Sequence, residues 1–191
     1  MDGAWQVVPT GSPRAEARFH RVRAVLATEA DTAVGIDLGM LDLVPTSREH
    51  ELVGHLGPDI LDDSFDTGTG PPGPGLAEAV ANWARCGPTQ VCDVLLDQRV
   101  VAGIGTIWLA ESLFAHQVYP WTPADQVDPV TVLRTARRRM AESVARHATI
   151  HVHGNRGRPC PRCGTPVARG QARQPPDQRP VFWCPTCQPP G

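Results

Sequence analysis

The chain has 191 residues, of which 41% are hydrophobic, and its formal net charge is -2 at pH 7. This length can bury a core for one large domain or two small ones, and the charge excludes a uniformly basic nucleic-acid binder. There is no apolar run near the roughly 18 residues of a membrane helix and no signal pattern at the start, so we expect a cytoplasmic protein.

Charge is distributed unevenly along the chain. Residues 1 to 133 contain seven arginines and eighteen acidic residues, whereas residues 134 to 191 contain eleven arginines and two acidic residues. The C-terminal third is therefore expected to face a polyanion, with a solvated arginine-rich surface as the alternative. All 18 basic residues are arginine, which excludes lysine chemistry. Abundant Arg, Ala, Gly and Pro without Lys indicate a GC-rich bacterial genome.

The first 44 residues predict short antiparallel strands at about 5–8, 20–26 and 34–38. In the second strand, Val22, Ala24 and Leu26 alternate with their neighbours and are expected on one face. Three or four strands are few for a sandwich, so one apolar face is left for a second sheet. Residues 68–75 alternate Gly and Pro densely and predict a flexible linker.

Three helices are predicted between this linker and residue 115. The first runs from about Leu76 to the stop at residues 87–88. Thr89 is expected to cap the second, which ends near residue 97. After a glycine-containing turn, the third helix is expected to carry an apolar stripe of Ile107, Ala110 and Phe114.

A fourth helix is predicted from Asp128, a capping residue followed by proline, to about residue 147. Its expected core stripe consists of Val130, Leu133, Met140 and Val144. Its arginines, at positions 134, 137, 138 and 139, form either a phosphate-facing surface or a solvated one.

Two CxxC pairs give the most specific local signal. Cys160 and Cys163 are followed, after twenty residues, by Cys184 and Cys187. Each tight turn directs two sulfurs into one site, so the spacing predicts one structural zinc ion with four thiolate ligands. Disulfides are the alternative, which the expected cytoplasmic location disfavours. The arginine-rich segment between the pairs, with Arg179 near its end, predicts a basic hairpin.

The remaining cysteines and the histidines next to the zinc motif are not expected to bind the metal. Cys86 and Cys92 are expected in the core, because buried free thiols are common. His151 and His153 are interpreted as surface residues of a strand, since four cysteines complete the coordination of zinc.

A longer pattern carries a family resemblance. Residues 95–108, LLDQRVVAGIGTIW, together with 110–114, AESLF, resemble the helix-two-turn-helix of the formamidopyrimidine-DNA glycosylase and endonuclease VIII family. Residues 54–59, residues 119–123 and the region around the four cysteines are similar to that family as well, so the resemblance covers residues 1 to 188.

The resemblance implies an α+β fold in three parts. These are a partial N-terminal β domain over 1–50, a helix-two-turn-helix domain over 51–149 and a zinc finger over 150–191. It implies that the partner is double-stranded DNA, with abasic or oxidised-base sites, in a nucleoid-associated protein. The DNA-binding residues implied by the family positions and the exposed basic groups are Met1, Arg99, Gly103, Gly105, Thr106 and Arg179.

The sequence departs from the family pattern at the residues of catalysis. Family enzymes begin with Pro-Glu, but this chain begins MDGAW, which resembles the segment around a methionine that wedges into the duplex inside the family's N-terminal domain. The family's catalytic lysine is absent, and Thr106 replaces an asparagine. Between residues 37 and 43 there is no Arg-Phe void-filling loop. We therefore predict no catalytic residue in the chain as written.

Three functional hypotheses follow. The first is a DNA-binding protein of the glycosylase and AP lyase family without catalysis. The second is the C-terminal portion of an active bifunctional enzyme whose start has been assigned too late. The third is a zinc ribbon that binds another protein and has no DNA role, which the acidic first 133 residues motivate.

Overall fold

The computed structural model describes residues 3–16, 19–39, 41–146 and 148–191. The chain forms two compact units, Met1–Glu51 and Leu52–Gly191. The predicted α+β class is confirmed: a small antiparallel sheet, a helical region and a C-terminal hairpin that carries the four cysteines. The division into three domains stays a prediction. Within the described residues, no helix is both long and apolar enough to cross a bilayer.

The first unit contains a three-stranded antiparallel sheet. Its strands are β1 (Ala4–Pro9), β2 (Val22–Ala27) and β3 (Asp31–Ile36), and β3 lies in the middle. The short helix α1 (Pro13–Glu16) follows β1. The three predicted strands are therefore present, because alternating apolar residues between turn residues favour an extended chain.

The predicted face of β2 is wrong in its second half. A bulge between Val22 and Ala24 adds one residue, so that Val25 pairs with Val34 and Leu26 pairs with Ala33. Because a shift of one residue moves every later side chain to the other face, Val25 lies beside buried Val34 and Leu26 is 64% exposed. Alternation in sequence does not reveal the bulge.

The second unit contains the helices and the C-terminal hairpin. The helices are α2 (His50–Val53), which begins at the end of the first unit, α3 (Pro74–Ala84), α4 (Val91–Leu96), α5 (Thr106–Ala115) and α6 (Pro129–Ala145). The hairpin consists of β4 (Ala168–Ala172) and β5 (Arg179–Trp183). One core combines the inward faces of α3 to α6 with buried residues of the hairpin, including Val181.

The two predicted helix caps have opposite outcomes. Asp128 does cap α6, since its carboxylate accepts a hydrogen bond from the backbone nitrogen of Val130 at 3.1 Å. Thr89 does not cap α4, because its hydroxyl donates to the carbonyl oxygen of Cys86 at 2.7 Å. The first amides of α4 instead donate to carbonyl oxygens of the segment 120–122. Tertiary contacts therefore replace the side-chain cap.

Two members of the predicted apolar stripes are exposed. Ile107 is 38% exposed, whereas Leu109 and Leu113 are completely buried in α5. Val144 is 79% exposed, and residues 141 to 146 at the end of α6 are exposed throughout. Helical periodicity identifies a face of the helix, but burial also requires a neighbouring element along its whole length.

The predicted flexible linker is an ordered loop over residues 68–73 inside the second unit, and residues 74–75 already belong to α3. The buried carboxylate of Asp66 accepts hydrogen bonds from the backbone nitrogens of Gly68 at 2.9 Å and Gly73 at 3.0 Å. Arg134 of α6 donates to the carbonyl oxygen of Gly70 at 2.8 Å. Gly and Pro exclude regular structure here, but they leave the backbone free to hydrogen bond to side chains.

Candidate nucleic-acid interface and metal cluster

The turn between α4 and α5 is closed by the side chain of Gln98. Its amide nitrogen donates to the carbonyl oxygen of Ile104 at 3.0 Å, and its amide oxygen accepts from the backbone nitrogen of Gly103 at 2.9 Å. Gly103 has φ +101°, and a Cβ there would lie 3.3 Å from Ile60. Glycine is therefore required by the turn itself.

The N-terminus of α5 lies against the segment that leads to the first cysteine pair. Gly105 precedes the helix with φ -112°, and Thr106 is its first residue. The hydroxyl of Thr106 lies 3.3 Å from Nε2 of His153, whose ring packs edge-on against Phe182 of β5. The first amides of a helix lack partners within the helix and favour an anion. This helix end and His153 therefore form one polar surface.

The predicted contact Arg99 lies in the turn beside an acid. It makes a two-pronged ion pair with Asp97, at 2.9 and 2.7 Å, and its side chain is 75% exposed. The guanidinium of Arg99 lowers the pKa of Asp97, so the carboxylate stays ionised. The positive charge of Arg99 is thus partly compensated at neutral pH.

A groove of about 890 Å³ separates the turn from the loop of the hairpin. Arg99 and Gln98 border it on one side, and residues 173–177 border it on the other. The backbone nitrogen of Arg173 donates to Asp93 of α4 at 2.8 Å, and its guanidinium donates to the carbonyl oxygen of Leu96. The hairpin loop is therefore attached to α4. The lining contains both acids and arginines, which reduces its net charge.

The four cysteines converge on one point. Their sulfurs all lie within 4.8 Å of one another, and the pairs Cys160–Cys187 and Cys163–Cys184 are 3.9 and 3.4 Å apart. Four sulfurs at about 2.3 Å from a tetrahedral ion would be separated by roughly 3.8 Å, whereas a disulfide needs about 2 Å. No disulfide joins any of the four in this structure, and their sulfur separations fit a metal ion.

A buried acid fastens this metal-cluster region to α5. Glu111 is completely buried, and its carboxylate accepts hydrogen bonds from the backbone nitrogens of His151, Val152 and His153 at 2.8 to 3.1 Å. Nδ1 of His151 and the guanidinium of Arg139 also contact it, at 2.9 and 3.4 Å. These hydrogen bonds satisfy the buried carboxylate and attach the segment 151–153 to α5.

An arginine of the first cysteine pair forms a second link to α5. Arg162 donates to the carbonyl oxygens of Phe114 at 2.8 Å and Ala115 at 3.1 Å. Its guanidinium carbon also lies 4.3 Å from the centre of the Phe114 ring. A cation at the C-terminus of a helix is favourable, and the aromatic contact adds to it. Arg162 therefore joins the metal-cluster region to the C-terminal end of α5.

Comparison with known proteins identifies these elements. The formamidopyrimidine-DNA glycosylase H2TH domain matches residues 76–153. A protein named probable endonuclease 8 2 from Streptomyces coelicolor is 35% identical over 98% of this chain and 69% of its own length. The chain belongs to the formamidopyrimidine-DNA glycosylase and endonuclease 8 family.

One further protein of the family and one solved structure are also similar to this chain. DNA-(apurinic or apyrimidinic site) lyase Nei2 from Mycolicibacterium smegmatis is 32% identical over 98% of this chain and 72% of its own length. The crystal structure of Lactococcus lactis formamidopyrimidine-DNA glycosylase, non-covalently bound to DNA containing an AP site, covers 100% of this chain and 72% of its own. Its TM-score is 0.73 at 18% identity, which shows the fold alone.

The structure brings only some of the predicted family contacts together. Gly103, Gly105 and Thr106 lie in the turn and at the start of α5, and Arg99 lies in the same turn. Arg179 begins β5, and its guanidinium donates to the carbonyl oxygens of residues 177 and 178. Met1 lies outside the described residues. Their roles as DNA contacts stay predictions.

Several residues with structural roles were not indicated by the sequence. Glu111 was not singled out. His151 and His153 lie in a turn instead of a strand, where His151 contacts buried Glu111 and His153 contacts partly buried Thr106. The arginines of α6 fit neither predicted alternative as a group: Arg134 and Arg139 contact buried acids. Cys92 is buried as expected, and burial raises its pKa to about 12; Cys86 is only partly buried. The sequence feature that could have indicated the role of Glu111 is that it is the acidic residue within the otherwise uncharged segment of α5.

Proposed function

We propose that this chain binds damaged double-stranded DNA, with the turn between α4 and α5 and the four-cysteine hairpin on the same duplex. The single observation that carries the proposal is the link through Glu111, which holds the start of the finger against α5 while Thr106 contacts His153. Two rigidly joined anion-facing elements suit a continuous phosphate backbone. The AP-site DNA in the related Lactococcus structure supports the same partner.

The geometry of Gly105 supports close approach by a ligand. A Cβ at this position would meet nothing within 4 Å, and the backbone is not left-handed. The fold therefore tolerates a side chain here, so a requirement for glycine would come from a molecule outside the chain. Such a molecule is DNA, if one of its phosphate oxygens accepts hydrogen bonds from the first amides of α5.

We further propose that the metal is one structural zinc ion held by Cys160, Cys163, Cys184 and Cys187. Four thiolates in a closed tetrahedral set suit zinc and leave no position for an activated water. Backbone nitrogens of Arg162 and Cys187 lie 3.4 and 3.5 Å from the sulfurs of Cys160 and Cys184, which stabilises thiolate charge.

In this proposal the 191 residues bind DNA without glycosylase or lyase catalysis of their own. The lyase activity named for the Mycolicibacterium relative needs a nucleophile and a proton-transferring group at the sugar. No lysine is present to supply a side-chain amine.

The test combines binding and trapping in one preparation. Zinc-loaded protein is mixed with a duplex that contains an abasic site, and binding is measured by gel shift at 50 and 200 mM salt. Three phosphate contacts predict roughly a 40-fold loss of affinity between these concentrations. Borohydride is then added, and no covalent complex is expected. Absence of duplex binding at low salt would contradict the proposal, and a trapped complex would show that catalysis is present.

Arg179→Ala and Arg48→Ala form a matched pair for this experiment. Arg179 has no carboxylate partner among the ion pairs of the described residues, whereas exposed Arg48 is paired with Glu51. If the Arg179 variant loses one phosphate contact, the slope of log affinity against log salt concentration should decrease in magnitude by about 1. The Arg48 variant is expected to bind like the original chain.

A further inference from the structure

A cleft on the outer side of α6 is not part of the turn or the metal cluster. It has a volume of about 520 Å³ and lies between α6 and the start of the ordered loop at residues 66–68. Three arginines of the same helix line it, at positions 134, 137 and 138, and Asp66 is the only acid among the described residues of its lining. Its volume is in the range of pockets that hold small ligands.

One of the three arginines is neutralised. The guanidinium of Arg134 lies 2.9 Å from the carboxylate of Asp66, whose side chain is completely buried. Arg134 is the main cause that lowers the pKa of Asp66 to about 2, and the amides of Gly73 and Gly68 add to the effect. Asp66 is therefore ionised at neutral pH, and its charge is already balanced by Arg134.

The second arginine is held in place without losing its charge. One terminal nitrogen of Arg137 donates to the carbonyl oxygen of Ile60, and its guanidinium carbon lies 5.7 Å from the centre of the Phe65 ring. The other nitrogens have no hydrogen-bond partner among the described residues. A guanidinium fixed by a carbonyl and a ring loses little entropy when it binds a ligand.

The third arginine is exposed. No carboxylate lies within ion-pair distance of Arg138 or Arg137 in the part of the chain that the structure describes. Two nearby acids are accounted for: exposed Glu142, one turn further along α6, makes no ion pair there, and Asp62 is occupied by Ser64. Ser64 is the main cause that lowers the pKa of Asp62, and Arg137 adds to the effect.

We propose that this cleft binds a phosphate group. Arg137 and Arg138, neither of which has an ion-pair partner among the described residues, supply two positive charges and several N–H donors at one concave surface, which is the chemistry that recognises phosphate oxygens. The apolar side chains of Val130 and Ala141 also line the cleft and leave room for the group that carries the phosphate. That group is either a free nucleotide or the backbone of DNA, and the experiment distinguishes the two.

The experiment follows arginine side-chain signals in the zinc-loaded full chain. Nε–Hε resonances are recorded by NMR during titration with inorganic phosphate and with AMP, and they are assigned by Arg137→Gln and Arg138→Gln. Saturable shifts of the Arg137 and Arg138 signals are expected. Arg146→Gln is the control, since Arg146 is an exposed arginine at the end of the same helix and does not line this cleft.

The substitutions provide the decisive comparison. Arg138→Gln is expected to weaken phosphate binding about tenfold, as for loss of one charge-assisted contact, and Arg146→Gln should leave it unchanged. Ala141→Glu places a carboxylate on the exposed wall of the cleft and should abolish binding while the thermal unfolding midpoint is retained. No saturable shift at Arg137 and Arg138, or equal loss in the Arg138 and Arg146 variants, would overturn the proposal.

Two arms identify the source of the phosphate. If AMP binds more tightly than inorganic phosphate and a duplex does not displace it, the ligand is a free nucleotide. If a duplex shifts the same two signals and displaces phosphate, the ligand is a DNA backbone. Either result supports the site. A duplex that binds without shifting these signals, while phosphate and AMP also fail to shift them, excludes it and leaves the DNA-binding proposal intact.

Discussion

The carboxylate of Glu111 accepts a hydrogen bond from the backbone nitrogen of Val152 at 2.8 Å, and both residues are completely buried. This contact joins the middle of α5 to the segment that leads to the metal cluster. The distance in sequence is 41 residues. It makes Glu111 the first residue to test.

Glu111→Gln is expected to destabilise the fold by about 2 to 4 kcal/mol. The amide keeps one acceptor oxygen, but its NH₂ group cannot accept from the three backbone nitrogens of residues 151–153. Urea unfolding measures the loss, and gel shift should show weaker duplex binding. Glu142→Gln, on the exposed end of α6, is the control. Equal stability of the two variants would contradict the role given to Glu111.

Asp66→Asn is expected to cost on the order of 2 to 3 kcal/mol at pH 7, because it leaves Arg134 unpaired. The pKa of Asp66 in the fold is about 2, below its ordinary value of 3.8. Its stabilising contribution is therefore complete above about pH 4 and is lost as the pH falls through 2. The difference between the two proteins in urea unfolding should shrink over that interval. A difference that is constant with pH would contradict the ion pair.

Removal of zinc is expected to unfold the hairpin β4–β5. Without the ion nothing bonds the two cysteine pairs to each other, and binding free energy at such sites is also folding free energy. Circular dichroism during chelation, with zinc measured by elemental analysis, tests this. Cys184→Ser should lose the metal, whereas Cys86→Ser, outside the cluster, should retain it. A hairpin that is unchanged by chelation would exclude a structural ion.

Thr106→Asn is expected to tighten duplex binding by about 1 to 3 kcal/mol at low salt. The longer carboxamide adds a donor at the start of α5, where the helix already favours an anion. Gel shift with an abasic-site duplex measures the change. Exposed Thr149→Asn, outside the turn and the α6 cleft, serves as the control. If both variants bind like the original chain, the start of α5 does not contact phosphate.

His153 gives the fold a dependence on pH in the mildly acidic range. Burial lowers its pKa below the ordinary 6.5, although the charge of Glu111 opposes this. The unfolded chain therefore takes up a proton before the folded one does, and stability falls as the pH drops below about 6.5. His153→Phe should reduce this fall between pH 7 and 5, whereas exposed His55→Gln should not. Thermal unfolding across that range tests it.

The sequence by itself determined the local chemistry of this protein. The spacing of Cys160, Cys163, Cys184 and Cys187 predicted the cluster, and Asp128 followed by proline predicted the start of α6, because both features depend on neighbouring residues. The long ungapped pattern through the turn predicted the family.

Only the tertiary structure decided which residues pair across the chain. Alternation could not show the bulge that turns Leu26 outward, and composition could not show that Asp66 and Arg134 order a Gly-Pro segment. The same holds for Glu111, which accepts backbone hydrogen bonds from residues 40 to 42 positions later. These contacts depend on the packing of distant elements, and a buried charge is stable only where that packing supplies its partners.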